Sequence, residues 1–175
     1  MTALVAGVAA VAVPLVLVVS LFGHVRRPGL LASALRAHGT LPRALAGPVA
    51  AAVVVAEAVT GVGGAAALLL RLDGPMRAAF GAAAVLLALY AAYGTYVSRT
   101  RQNAPCGCAG GGTPMTGWVA GRAAALSALA LTGALHGPPA GSTAYESFIV
   151  VTAGLGFAVI LWTLPSAMIE RRPAG

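Results

Sequence analysis

Apolar residues run along this chain in five long stretches, broken by short segments that carry most of its charge. The stretches are Leu4 to Phe22, Pro48 to Leu70, Ala78 to Ser98, Trp118 to Leu135 and Phe148 to Ile169. About 20 mostly apolar residues in a helix cross the hydrocarbon core of a bilayer, so each stretch predicts one spanning helix. No basic residue precedes the first, which reads as a span and not as a signal peptide. Pro14 lies mid-span, removing one backbone hydrogen bond and predicting a kink. Pro48 suits a first helical turn, and Glu170-Arg171-Arg172 marks a membrane surface after the fifth run. Asp73-Gly74-Pro75 predicts a tight turn between the second and third spans. In the longer connector Gly23 to Gly47, Leu30, Leu31, Ala34, Leu35 and His38 fall at helical spacing with Arg36 off the stripe, predicting a short amphipathic helix at the headgroups. His136 to Ser147 is rich in glycine and proline and carries little signal.

Composition agrees with this pattern. The chain is 59% hydrophobic and only 9% charged, whereas soluble domains are roughly a quarter charged and disordered chains are poor in apolar residues. Its net charge of +7 comes from eleven arginines, and there is no lysine. Nucleic-acid binding would need them clustered on one face; here they stand singly or in pairs between apolar runs. Four follow the first span, two follow the third and two lie in the tail, all on one side, while the opposite side has Arg71 and Arg77. The positive-inside rule then sets the richer side in the cytoplasm and the N-terminus outside.

The two cysteines, Cys106 and Cys108, flank Gly107 in the connector after the third span. Alpha carbons two apart in an extended chain lie about 7 Å apart, just beyond disulfide reach, and glycine lets the backbone contract. A strained, reducible disulfide fits thiol–disulfide exchange. Two-thiolate Cu(I) binding and two incidental loop cysteines are the alternatives. Zinc would want four ligands, and His24, His38 and His136 lie far off in sequence, so no metal ligand set is assigned. Within the spans, Glu57 lies about 13 Å past Pro48 and Arg122 about 6 Å past Trp118 at 1.5 Å per residue. Ionisable groups at such depth face the bundle interior and pair, so Arg122 is expected to reach towards Glu57 beneath the cysteine loop. Gly61, four residues on, allows a close helix approach beside the acid. Tyr96 and Trp118 suit an aromatic belt; Tyr90, with Tyr93 and Trp118, could line a pocket for a quinone.

These elements, in order, resemble the MauE family of methylamine-utilisation membrane proteins, related to the DoxX-like proteins. The resemblance spans residues 1–136: Phe22-Gly23 followed by Arg26, Glu57 with Gly61, Cys106-Gly107-Cys108 with Gly110, and Arg122. Ala109 stands where the family has an aromatic, and Ala123 where it tends to have Asn. The resemblance implies a four-helix core over 1–136, with 137–175 supplying a linker, a fifth C-terminal span and a basic tail. It further implies thiol redox chemistry with a thioredoxin-like partner during disulfide maturation, with the cysteines on the extracytoplasmic face. The arginine count places them on the other side. The expectation is an all-α polytopic membrane bundle exchanging electrons through Cys106 and Cys108, supported by Arg122, Glu57, Arg26, Gly107 and Gly110. The rivals are a soft-metal assembly factor and a small-molecule carrier using Glu57 and Arg122.

Overall fold

A computed structural model describes residues 2–101, 103–107, 114–137 and 143–170. The described chain is helical: α1 (Thr2–Arg26), α2 (Gly29–His38), a 3-10 turn (Arg43–Leu45), α3 (Ala46–Leu69), α4 (Asp73–Thr100), α5 (Gly117–His136) and α6 (Ala144–Glu170). All but α2 and the turn are long and apolar enough to span a bilayer, giving five spans. Large apolar side chains such as Val59, Leu89, Leu135 and Phe148 face outward. In lipid that exposure is expected, because the solvent there is itself apolar.

Local chemistry sets the helix ends. Asp73-Gly74-Pro75 is not the turn but the first turn of α4. Proline is tolerated there because the first amides of a helix have no intrahelical acceptor. The reversal falls instead at Leu70 to Leu72, where Arg71 takes a φ of 54°. α6 starts four residues before the predicted Phe148. Its start is a reciprocal cap in which the Thr143 amide donates to Glu146 Oε2 (2.9 Å) and the Glu146 amide donates to Thr143 Oγ1 (3.2 Å). The last carbonyls of α5 are satisfied by a side chain: Arg77 donates to Leu135 O at 3.1 Å and His136 O at 3.0 Å. One arginine of the poorer face is thus a structural clamp between α4 and α5.

Small residues draw the helices together. α1 continues through Pro14, whose ring lies against Gly64 of α3. One turn away, a Cβ on Gly61 would lie 3.0 Å from Leu17 Cβ, so α1 and α3 touch almost backbone to backbone. These two pairings fix an antiparallel register that sets Arg26 opposite Ala52, six residues after α3 begins. α1 therefore stops about 9 Å deeper than α3 starts, at 1.5 Å per residue. α2 fills that step. Ala34, Leu35 and His38 are buried, and Leu35 packs with Ala46 and Ala50 of α3. The predicted stripe is present, but its buried side faces the bundle and not lipid alone. A second core, including Leu17, Phe80, Leu87 and Leu126, joins α1, α4 and α5 with part of α6.

Candidate functional site

The step left by α1 opens into a chamber of about 700 Å³. Leu31, Leu35 and His38 of α2 and Cys106 of the loop form its roof, and Leu17, Val53, Leu87 and Leu126 are among its walls. Most of its lining is apolar. Its polar groups gather at two levels, held by Tyr90 and Tyr93 of α4, about 4.5 Å apart along the axis.

At the deeper level is Glu57, 1% exposed. Its Oε1 accepts hydrogen bonds from Ser20 Oγ (3.0 Å) and Tyr90 OH (3.1 Å). Its Oε2 lies 3.4 Å from His24 Nε2 and makes no hydrogen bond. This His24 contact is the one ion-pair geometry among the described residues, so Glu57 is partnered from α1 and not by Arg122. Nothing along the chain points to it, because Ser20 and His24 share a face of α1 only through their four-residue spacing and meet the acid only once α1 and α3 pack. With both donors on Oε1, a proton on the acid belongs on Oε2. A single proton can therefore sit on Glu57 Oε2 or on His24 Nε2, where it would face the carboxylate and Ser20 Oγ, 3.5 Å away.

The upper level secures the loop. His38 Nε2 lies 2.8 Å from the Pro105 carbonyl, which can only accept, so this nitrogen carries the hydrogen. In the neutral ring Nδ1 then accepts from Tyr93 OH (2.9 Å), and Tyr93 accepts from Thr40 Oγ1 (2.8 Å). The chain from Thr40 to Pro105 fixes the residue before Cys106. The neck of the loop is closed by the Met115 amide, which donates to Ala104 O at 2.6 Å, beside a bridge between Pro105 and Pro114. Gly107 adopts a φ of 72°, and a Cβ there would lie 2.8 Å from Ala34 Cβ. Left-handed backbone and contact with α2 thus both demand glycine. Cys106 is buried against the chamber.

The structure brings Cys106, Glu57, Tyr90, Tyr93 and Arg122 onto one chamber. Arg122 stacks over Trp162 of α6, with 5.1 Å from Cζ to the ring centroid, and has no carboxylate within ion-pair distance among the described residues. Trp118 is 48% exposed and is not among the lining residues; Trp162 is the indole in the wall. Arg26 stays outside, its guanidinium 4.2 Å above the Phe22 ring. Cys108 and Gly110 lie outside the described residues, as do Arg171 and Arg172. Among the described residues no three His, Cys, Asp or Glu side chains cluster as a metal site. Four residues were missed as site members: Ser20, His24, His38 and Trp162. Only His38 carried a signal, through its place on the α2 stripe.

Five apolar helices enclosing a buried acid and a chamber define a multi-pass membrane protein. The sequence matches the family model MauE, methylamine utilisation protein MauE, over residues 1–136, and the chain belongs to that family. The match ends with α5, and α6 lies beyond it. No curated protein and no solved structure matches the chain.

Proposed function

We propose that this protein is a membrane thiol–disulfide redox protein of the methylamine-utilisation type, acting through Cys106 and Cys108. The observation that carries the reading is Cys106, buried on the wall of an apolar chamber in a loop held by His38 and Ala34 of α2 and by the Pro114–Met115 segment. An incidental surface cysteine needs no such fixing. In the exchange, a thiolate of the pair attacks a partner's disulfide and forms a mixed disulfide; the second thiolate then attacks that bond, releasing the partner as a dithiol and closing Cys106–Cys108. The reverse sequence reduces the pair. The loop shares its face with the arginine-rich connectors, which supports a cytoplasmic placement, where thiols are kept reduced. A thioredoxin-like protein is the partner class proposed, as the resemblance to the MauE family implies.

Trapping tests this. A single Cys106→Ser or Cys108→Ser variant, mixed with a disulfide-bonded thioredoxin-like protein and quenched with an alkylating agent, should yield a mixed disulfide that the double variant does not form, because the remaining thiolate opens the partner's disulfide and the pair has no second thiol to release it. No adduct from either single variant would overturn the reading. Stoichiometric Cu(I) retained by the wild type and lost in the double variant would favour the metal-handling alternative.

A further inference from the structure

We propose that the chamber is a binding site for a lipid-soluble quinone, which accepts the electrons of the cysteine pair; this rests on the redox reading above. Three observations converge on that ligand class. The chamber walls are mainly Leu and Val, so the occupant is largely apolar. Leu89 and Tyr96 line the chamber yet are exposed on the outer surface of α4, so it reaches the bundle surface at bilayer depth and an occupant can enter from lipid. Apart from the exposed Tyr96 and Arg101 side chains, two polar groups of the lining remain for a ligand. Glu57 Oε2, buried and without a hydrogen bond, can donate a proton. Arg122 lines the chamber with its guanidinium stacked on Trp162 and no hydrogen bond to another described residue. A ring with two carbonyls satisfies both, one accepting from Glu57 Oε2 and the other from Arg122. An aliphatic lipid tail satisfies neither.

The electron balance is complete. Two thiols lose two electrons and two protons and form one S–S bond; the quinone gains two electrons and two protons and becomes a quinol, as quinones do when they reoxidise dithiols. Glu57 Oε2 delivers one proton to the carbonyl facing it and is recharged from His24, whose ring stands between the acid and the arginine-bearing end of α1. Arg122 stabilises the negative charge that builds on the opposite oxygen while it awaits its proton. Glu57, His24 and Arg122 are thus assigned to the ligand and the proton, and the cysteines to the electrons.

The test uses detergent-solubilised full-length protein carrying Trp118→Phe, so that Trp162 in the chamber wall reports alone, with decylubiquinone as the probe. Binding should quench Trp162 fluorescence saturably. Glu57→Leu should weaken the apparent affinity at least about tenfold, as expected for one lost hydrogen bond to a buried group. Glu57→Gln keeps a donor without a transferable proton. It should bind within about threefold of wild type yet reduce quinone at least about tenfold more slowly, so the proposal stands on this variant if Glu57→Leu does not fold. Pre-reduced wild type should convert one quinone to quinol per cysteine pair oxidised. Quenching that rises linearly with added quinone and is unchanged by Glu57→Leu overturns the quinone site. So does a pair that exchanges with a thioredoxin-like disulfide but leaves the quinone oxidised, and in that case the redox reading stands. Saturable, Glu57-dependent binding with thiols inert to quinone and protein disulfide alike upholds the site and overturns the redox reading.

Discussion

Replacing Gly107 with alanine gives the sharpest test of how the cysteine loop is held. The added methyl meets two obstacles. A non-glycine residue at a φ of 72° carries about 1–2 kcal/mol of steric strain. The same Cβ would approach Ala34 Cβ to 2.8 Å and Leu31 Cα to 3.5 Å. Overpacking of this kind typically adds about 1–3 kcal/mol. Together they destabilise the closed loop by about 2–5 kcal/mol, without altering either sulfur. Cys106 is buried, so its alkylation by a charged, lipid-insoluble maleimide proceeds through loop opening. In a Cys108→Ser background, Gly107→Ala should therefore accelerate alkylation at least about thirtyfold, since each 1.4 kcal/mol is tenfold. Adding Ala34→Gly removes the clash and leaves the backbone strain, so the acceleration should fall back to about tenfold. A rate for Gly107→Ala within about twofold of its parent, the range of an uninvolved surface substitution, would refute the reasoning.

Three further outcomes follow from the same geometry. His38→Ala severs the link between Tyr93 and the Pro105 carbonyl; it should raise the Cys106 alkylation rate by roughly five- to a hundredfold, corresponding to about 1–3 kcal/mol, and an unchanged rate would remove His38 as the anchor. Gly61→Leu should lower the thermal midpoint of the detergent-solubilised protein through about 1–3 kcal/mol of overpacking against Leu17, whereas Gly63→Leu, facing open space, should leave it unchanged; equal effects would contradict the α1–α3 contact. A membrane-impermeant thiol reagent should leave Cys106 and Cys108 unmodified in intact cells and modify them after permeabilisation, as the arginine distribution predicts. Modification in intact cells would reverse the orientation.

The spans were legible because the bilayer demands one thing of a sequence, an apolar run of sufficient length. Their ends were less so. Asp73-Gly74-Pro75 suits a turn and a first helical turn equally well, and the choice falls to the packing of α4 on its neighbours. Depth made Glu57 conspicuous, but depth does not name a partner. Arg122 was the charge complement in sequence, whereas His24 and Ser20 reach the acid because Gly61 lets α1 close on α3. Trp162 sits in a helix beyond the family match, and its meeting with Arg122 depends on tertiary packing alone. Gly107 was legible as a flexible link between cysteines. The contact with Ala34 was not, because it requires α2 to fold into the step left by the short α1.

The central claim is that Cys106 and Cys108 make and break a bond with each other. The most direct measurement is the mass of the alkylated full-length protein after equilibration in glutathione buffers of graded potential. The account predicts a single two-electron transition, from a species carrying two alkyl groups to one carrying none and two hydrogens lighter than the unmodified dithiol. A chain that takes up two alkyl groups at every potential would contradict it.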